Sequence, residues 1–360
     1  MQFGSDNQTG ASQKVLETLA NANDGHTHGY GDDQWTQAAS DKINQVFETE
    51  ASIYFVATGT AANSLALASL VNPWETILCH HQAHVFIDES TAPEFFSGGA
   101  RQIPVTQKSG KVHTSHLENY FSQAGSDTPH NVIPKALSIA QANESGLVYS
   151  VDELTALSKV AHQHQIKLHV DGARFANAVA ATKATPAELS WKAGVDVLCL
   201  GATKCGCLAA EAVIFFDQAL AKDFEHRRKR SGHLLSKGRL FAAQFLGWLE
   251  DDHWLELARH ANQHASELSQ QLEQLENVRL AWPTQANEVL AIMPTTMVNT
   301  LQQAGAEFYP WYEQSLPPRE QLNQDETLIR LVTSFKSNMD EVTRFIDIAN
   351  NSKHTHVTGP

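Results

Sequence analysis

The chain has 360 residues, 42% of them apolar, and its 26 basic and 40 acidic side chains give a net charge of −14. This composition can fill a sizeable core and excludes a disordered chain, while the acidic balance argues against nucleic acid or an anionic membrane as a partner. No apolar run reaches the roughly 18 residues of a membrane span, and the first residues lack a signal-peptide pattern. Four cysteines do not make a disulfide framework, so we expect a soluble, cytoplasmic enzyme.

Short apolar runs alternate with helical patterns in the first two thirds of the chain. The runs predicted as strands are residues 53–57, 76–79, 102–106, 136–140, 167–170, 195–200 and 212–216. The patterns predicted as helices are residues 61–71, 115–122, 151–165 and 175–182. Buried strands that alternate with helices are typical of an α/β domain with a mostly parallel sheet, here of seven strands.

The pattern changes after this alternation. Longer helices are predicted at residues 217–230, 239–249 and 254–275. They are followed by strand patterns at 278–281, 289–293 and 328–333 and by helical patterns at 295–305 and 339–350. We therefore expect a large domain over residues 1–250, with an N-terminal segment at 1–24, and a smaller C-terminal α+β domain over residues 251–360.

The first motif is the turn that follows the strand at 53–57. Gly59 and Thr60 begin a helix of small residues, so its free N–H groups and the positive end of its dipole would face a ligand above the turn. A phosphate fits that position, and an ordinary turn with a threonine cap is the alternative. The sequence has neither a Walker A motif nor a GxGxxG motif, so nucleotide folds of those two kinds are not expected.

Two charged residues follow buried strands. Asp171 needs a cationic partner at the end of its strand: a protonated pyridine nitrogen, a metal, or Arg174 in an internal pair. Lys204 follows an apolar strand and is flanked by small residues, where exclusion of water lowers the pKa of an amine and makes it a Schiff-base former. A lysine in an exposed loop is the ordinary alternative.

The third feature is a histidine cluster. His80, His81 and His84 precede Asp88 and Glu89, and such side chains could bind a metal. The spacing is not that of a familiar zinc site, and the chain has 18 histidines, so chance clustering is an alternative. A histidine ring that covers a flat cofactor is another.

Together these features indicate a cofactor site. A phosphate turn, an acid for a ring nitrogen, a lysine 33 residues later and a ring for stacking are the parts that hold pyridoxal 5′-phosphate. They occur in the chain order of the aspartate aminotransferase-like fold.

From about residue 5 to residue 334 the chain resembles the low-specificity L-threonine aldolases of the β-eliminating lyase family. The resemblance is carried by SDN at 5–7, YGDD at 30–33, GTAAN at 59–63, AHVFIDESTAPEFFSGG at 83–99, DGAR at 171–174, GATK at 201–204 and RLVTS at 330–334. It implies fold type I of the pyridoxal phosphate-dependent transferases.

The resemblance also implies roles for single residues around the cofactor. Lys204 would hold pyridoxal phosphate covalently, Asp171 would pair with its ring nitrogen, and His84 would stack on the ring. Gly59 and Thr60 would bind the phosphate.

Further roles concern the substrate and the assembly. Ser5, Arg174 and Arg330 would hold the substrate carboxylate. Tyr30 would reach into the site of a neighbouring subunit, in a homotetramer built as a dimer of dimers.

Two stretches depart from the family pattern. Many relatives carry a histidine in an Asn-Thr-His stretch before the position of Asp171, whereas this chain reads AQANE at 140–144. His84 and His130 are then the side-chain candidates for the base that takes the proton of the β-hydroxyl. The phosphate loop after the lysine reads GHLLSKGR at 232–239, where Lys237 or Arg239 would contact the phosphate.

The activity implied is an aldolase that cleaves L-threonine, L-allo-threonine or a related β-hydroxy-α-amino acid, such as phenylserine, into glycine and an aldehyde. β-Elimination from another amino acid is the nearest alternative with the same cofactor. Two alternatives come from other classes: a metal-dependent hydrolase that uses His80 and His84, and a catalytically silent binding module. The presence of Lys204 argues against the binding module.

Overall fold

The computed structural model describes residues 1–123, 128–318 and 320–352. The helices are α1 (Gln13–Ala22), α2 (Gln34–Phe47), α3 (Gly59–Leu70), α4 (His84–Ile87), α5 (Ala92–Ser97), α6 (Thr114–Gln123), α7 (Val151–Gln163), α8 (Phe175–Thr182), α9 (Phe224–Arg230), α10 (Arg239–Leu249), α11 (His253–Leu272), α12 (Thr295–Gln303) and α13 (Met339–Asn351). The strands are β1 (Ser52–Val56), β2 (Glu75–Cys79), β3 (Arg101–Pro104), β4 (Ile133–Ala140), β5 (Lys167–Gly172), β6 (Val197–Gly201), β7 (Glu211–Phe215), β8 (Arg279–Leu280), β9 (Glu288–Pro294), β10 (Tyr309–Pro310) and β11 (Glu326–Val332). No helix in these ranges is both long and apolar enough to cross a membrane.

The larger sheet, as far as the chain is described, has seven strands in the order β1-β7-β6-β5-β4-β2-β3. Only β7 runs antiparallel to its neighbours, β1 and β6, so the prediction of a mostly parallel seven-stranded sheet is confirmed. Strands β2, β6 and β7 are buried along their whole length, and their residues are apolar apart from Glu75 and Thr76 at the start of β2 and Glu211 at the start of β7.

Helix α3 lies directly against this sheet. Its sequence, GTAANSLALASL, is made mostly of small residues, and eight of its side chains are buried. Small side chains allow the helix to lie close to β5, β6 and β7, so its first turn is held at the edge of the sheet where the parallel strands end.

The second sheet belongs to the small domain and has four antiparallel strands, within the described residues, in the order β10-β11-β9-β8. Helices α11, α12 and α13 cover it, and its core is separate from that of the large sheet. Phe3 joins this core: its N–H donates to the Glu307 carbonyl and its own carbonyl accepts from Val332. The predicted boundary near residue 250 lies between α10 and α11, and residues 353–360 of the expected small domain lie outside the described residues.

One predicted helix is divided in the structure. Residues 217–230 form a short 3-10 helix at Gln218–Ala221 and then α9, because the Asp217 side chain accepts a hydrogen bond from the N–H of Ala219 and starts a separate turn. The other predicted helices and all predicted strands occur within a few residues of the expected positions. Helices α1 and α2, which were not predicted from the sequence, pack against α10.

Candidate active site

A cavity of about 610 Å³ lies at the edge of the large sheet where the parallel strands end. Ala140 ends β4, Asp171 is the last but one residue of β5, and Lys204 follows β6, and all three line it. Arg330 and Trp311 of the small domain close the opposite side. Open α/β sheets place ligand sites at this edge, and the volume suits a small molecule.

The first turn of α3 forms one end of the cavity. Thr58 caps the helix by accepting a hydrogen bond from the N–H of Ala61 (3.2 Å), while Gly59 and Thr60 line the cavity. The first N–H groups of a helix have no partner inside it and carry the positive end of its dipole. A Cβ built on Gly59 would meet no atom within 4 Å, so the space above the turn is open. The turn therefore suits a phosphate group.

Asp171 is buried and held by two donors. Its Oδ1 accepts from the N–H of Ala173 (3.0 Å), and its Oδ2 accepts from the Asn63 amide (2.9 Å). The same amide nitrogen donates to Glu89 Oε1 (2.9 Å), so one side chain on α3 bridges two buried carboxylates. A buried acid fixed in this way can meet a cationic ring nitrogen in the cavity.

The His84 ring is oriented by Glu89. The two side chains form a hydrogen bond between Nδ1 and Oε1 (2.9 Å), and this bond raises the pKa of His84. The Glu89 side chain is fully buried, whereas the histidine ring is partly exposed and lines the cavity. The ring is therefore fixed at one edge and accessible from the cavity.

Lys204 lies in a short 3-10 helix, Thr203–Cys205, that follows β6. Glu211, at the start of β7, also lines the cavity and accepts a hydrogen bond from the Thr203 hydroxyl (2.5 Å). Burial raises the pKa of Glu211 to about 7, and the nearby charge of Lys204 opposes that rise. The amine thus lies close to a buried carboxyl group.

Arg174 is held by carboxylates of the chain itself. Its Nε and Nη2 donate to the two oxygens of Asp6 (2.7 and 2.9 Å), and its Nη1 lies 3.4 Å from Glu288 Oε1. Asn287 donates to Asp6 as well (3.0 Å). The fold therefore uses two of the five N–H donors of this guanidinium and places a second carboxylate near it.

Arg330 is held more loosely. Its Nη1 lies 3.7 Å from Glu288, and its guanidinium carbon lies 3.9 Å from the centre of the Trp311 ring. Its buried Nε has no hydrogen-bond partner among the described residues, and burial lowers its pKa. Ser5 lines the same part of the cavity, so the three residues expected to hold a substrate carboxylate all lie at one cavity.

His130 does not lie at this cavity. It is exposed in a turn just before β4, so it lies at the opposite end of that strand from Ala140. A histidine is a chemically suitable base, but the length of β4 separates His130 from the end of the strand that reaches the cavity. Within this chain the structure does not support His130 as the base.

The loop at 232–239 contacts the turn between β1 and α3 through His233, whereas Lys237 or Arg239 was expected there. His233 Nδ1 accepts a hydrogen bond from the N–H of Ala57 (3.3 Å), at the end of β1. Lys237 is exposed, and the Arg239 guanidinium donates to the carbonyls of Asp24 and Gly25 (3.2 and 3.4 Å). Neither Lys237 nor Arg239 lines the cavity of its own chain.

Tyr30 also lies outside the cavity. Its side chain is 54% exposed, and Lys229 Nζ lies 4.7 Å from the centre of its ring. Its backbone has a φ of 61°, in the left-handed region, next to Gly31 at 87°. The ring therefore lies at the surface beside Lys229 and not in the cavity of its own chain.

Comparison with known proteins places the chain in a family. Residues 2–295 match the family described as β-eliminating lyase. The chain belongs to the β-eliminating lyase family. The low-specificity L-threonine aldolase of Pseudomonas aeruginosa is 43% identical over 308 residues, which are 86% of this chain and 88% of that protein. The protein of the same name from a Pseudomonas species is 42% identical, with the same coverage. A solved structure of Leishmania major threonine aldolase matches with a TM-score of 0.89 and 29% identity, over 97% of this chain and 98% of that chain.

This β-eliminating lyase is a pyridoxal phosphate-dependent enzyme of fold type I, as the sequence predicted. The residues present fit the cofactor. The open turn at Gly59 and Thr60 suits its phosphate, the anchored Asp171 suits its ring nitrogen, and Lys204 provides the amine. The His84 ring, fixed by Glu89, suits stacking on its flat ring.

The metal-hydrolase alternative finds no support in the geometry. His80 is hydrogen-bonded to the Ser109 carbonyl (2.6 Å) and His81 to Thr106 (2.8 Å), so neither ring is directed at His84. In the described part of the chain, a group with metal-ligand spacing consists of His84, Glu89 and Asp171, which lie at the cofactor cavity.

Several cavity residues had no role in the sequence analysis. They are Asn63, Glu144, Glu211 and Glu288. One signal could have found two of them: Glu211 and Glu288 each begin an apolar strand that is otherwise free of charge, and such a carboxyl is costly without a partner.

Proposed function

We propose that this lyase is a low-specificity threonine aldolase, which cleaves L-threonine, L-allo-threonine or related substrates such as phenylserine to glycine and an aldehyde. The observation that carries the proposal is one cavity that is lined by Lys204, Asp171 and His84 together with Arg330. The Pseudomonas and Leishmania proteins named above support it, since their descriptions are those of threonine aldolases.

The arginine side of the cavity orients the substrate. The Arg330 guanidinium would donate to the substrate carboxylate, with Ser5 beside it, and Arg174 adds positive charge while Asp6 and Glu288 fix its position. A fixed carboxylate also fixes the direction of the bond between Cα and Cβ relative to the rest of the cavity.

The opposite side holds the reacting groups. When bound, pyridoxal phosphate supplies an electron sink for the bond broken at Cα. Asp171 would keep a proton on the ring nitrogen, and Asn63 and the N–H of Ala173 keep its carboxylate in place. Lys204 would bind the cofactor through its amine, and His84 would cover the ring and exclude water from one face.

We also infer a homotetramer, a dimer of dimers, in the cytoplasm. Tyr30 supports the assembly because its ring is exposed and lies outside the cavity of its own chain, where a neighbouring subunit could contact it, and the exposed Lys237 supports it in the same way. The four cysteines are unpaired and buried, as in proteins of a reducing compartment. Light scattering at assay concentration tests the assembly, and a fully active monomer would contradict it.

The test of the activity is product analysis with purified protein and L-threonine. We expect glycine and acetaldehyde in equal amounts, whereas β-elimination would give a keto acid and ammonia. Lys204→Ala should abolish turnover, and borohydride should attach the cofactor to Lys204 of the wild type. Lys222→Ala, at an exposed position, is the matched control and should act like the wild type. Threonine cleavage by the Lys204→Ala variant at the wild-type rate would refute the proposal.

A further inference from the structure

Glu144 is a carboxyl group of the cavity that has no assigned role. It follows β4 in the stretch AQANE at 140–144 and lines the cavity together with Ala140 and Ala142. Its Oε1 accepts a hydrogen bond from the backbone N–H of His84 (2.8 Å). The carboxyl is therefore fixed beside the first residue of α4, on the side of the cavity where His84 lies.

The surroundings of Glu144 make it a group that titrates near neutral pH. Burial raises its pKa to about 7, and the negative charge of Asp171 acts in the same direction. The hydrogen bond from the His84 N–H and the charge of the His84 ring oppose that rise. Other titratable groups that interact with it are Cys79 at the end of β2, Tyr149 before α7 and Arg174 before α8.

Three other side chains could accept a proton. Glu211 accepts from Thr203 and interacts with the charge of Lys204, so it lies on the lysine side of the cavity. The bond between His84 Nδ1 and Glu89 leaves Nε2 available, but a ring that stacks on the cofactor would present its face rather than this nitrogen, and His130 lies outside the cavity. Glu144 accepts from the backbone N–H of His84, so its carboxyl lies on the His84 side of the cavity.

We propose that Glu144 is the general base that takes the proton of the substrate's β-hydroxyl. The proposal rests on the aldolase function proposed above. As the Cα–Cβ bond breaks, the hydroxyl proton moves to the Glu144 carboxylate and the oxygen forms the carbonyl of the aldehyde. The electron pair of the broken bond stays with the glycine fragment, and Glu144 later releases its proton to solvent. The small side chains of Ala140 and Ala142 leave room beside the base.

The first test compares a reaction that needs the base with one that does not. Glu144→Gln keeps an oxygen that can accept from the His84 N–H but cannot accept a proton. It should lower kcat for threonine cleavage at least tenfold and abolish the rise of kcat/KM with pH near 7. Exchange of the glycine Cα proton in D2O involves no β-hydroxyl and should stay near the wild-type rate. Glu118→Gln, on the exposed side of α6, is the matched control and should change neither reaction.

The outcomes separate this inference from the proposed function. A Glu144→Gln variant that cleaves threonine at the wild-type rate overturns the inference, and so does a variant that loses cleavage and glycine exchange alike, because that result shows a structural role. If the wild type exchanges glycine protons but releases no aldehyde, the aldolase function itself is wrong and the inference falls with it.

The second test does not depend on turnover. In cofactor-free protein that carries 13C-labelled glutamate carboxyl groups, NMR should show a resonance that titrates near pH 7 in the wild type and is missing in Glu144→Gln. The same resonance should remain in Glu118→Gln. If Glu144→Gln removes no resonance that titrates near pH 7, Glu144 is not available as a base at working pH and the proposal is refuted.

Discussion

Arg174 and Arg330 carry the same charge in one cavity, but the fold holds them differently. Arg174 makes a two-bond ion pair with the buried Asp6, while Arg330 keeps a buried Nε without a partner among the described residues. The Asp6–Arg174 ion pair is part of the folded structure, whereas the guanidinium of Arg330 remains able to donate to a ligand. Substitution of each arginine should therefore change a different property.

Arg174→Gln should lower the free energy of unfolding by about 3–5 kcal/mol, because Asp6 keeps its buried charge and loses its cationic partner. Arg330→Gln should raise KM for threonine roughly tenfold, about 1.4 kcal/mol of binding, and change stability much less. Urea unfolding and steady-state kinetics measure the two effects. The opposite result, with a stability loss at Arg330 and a KM effect alone at Arg174, would contradict this division.

At the residue scale the sequence identified the groups that follow strands. Asp171, Lys204, Gly59 and Thr60 could be predicted because parallel strands bring their carboxyl ends to one edge of the sheet. The contacts that orient these groups could not be predicted. The Asp6–Arg174 pair joins residues 168 positions apart, and no local pattern shows which side chains will meet over such a distance.

Two helix caps allow a comparison at the scale of elements. Thr58 accepts from the N–H of Ala61 (3.2 Å) at the start of α3, and Ser150 accepts from the N–H of Glu153 (3.1 Å) at the start of α7. Alanine at either position should cost about 1 kcal/mol of stability, the usual effect of a lost cap. Of these two helices, α3 begins at the cavity and α7 does not. Thr58→Ala should therefore also weaken cofactor binding, and Ser150→Ala should not.

Urea unfolding of the two variants measures the cap, and spectroscopic titration of cofactor-free protein with pyridoxal phosphate measures the affinity. Ser150→Ala serves as the control for a general loss of stability. Equal loss of affinity in both variants would show that the start of α3 has no special part in binding the phosphate.

Elements with a strong local pattern were predicted well, and those without one were not. The buried strand β6 is a continuous apolar run, and so is β7 after its first residue, Glu211, so the local pattern alone predicts both. Helices α1 and α2 are largely polar, and each buries only a few side chains against α10. Their stability comes from tertiary packing, which the sequence does not display directly.

The buried Glu144 and Glu211 should each make the folded chain lose stability as the pH rises toward neutrality. Burial raises the pKa of both Glu144 and Glu211 to about 7, so the stability that each contributes is complete below the ordinary glutamate pKa and is lost between about pH 4.5 and 7. Burial lowers the pKa of His80 and His169 to about 4, and their contribution has the opposite sign, since it is lost as the pH falls.

A difference measurement isolates the two glutamates. Urea unfolding of cofactor-free wild type and of a Glu144→Gln, Glu211→Gln double variant should be followed from pH 5 to pH 8. The wild type should lose stability relative to the variant up to about pH 7, after which the difference should stay constant. The histidine contributions cancel because both proteins contain them. Parallel curves over the whole range would show that these carboxyls have ordinary pKa values.

The two-sheet architecture was predicted at this scale, but the path of the N-terminal segment was not. The backbone of Phe3 forms hydrogen bonds with Glu307 and Val332 in the small domain, while α1 packs on helix α10 in the part of the chain that contains the large sheet. The domain boundary near residue 250 stays a prediction. A contact between residues some 300 positions apart leaves no periodic pattern in the sequence. That the first residues of the segment at 1–24 extend the small domain could therefore not be predicted.

The cysteines beside the lysine have a consequence for the durability of the enzyme. Cys205 and Cys207 lie within three residues of Lys204, and burial raises the pKa of Cys205 to about 12 and that of Cys207 well above its ordinary value. Thiolates, not thiols, attack aldehydes and other electrophiles. Because both sulfurs are buried and held as thiols, we expect them to react little with the aldehyde that the enzyme releases.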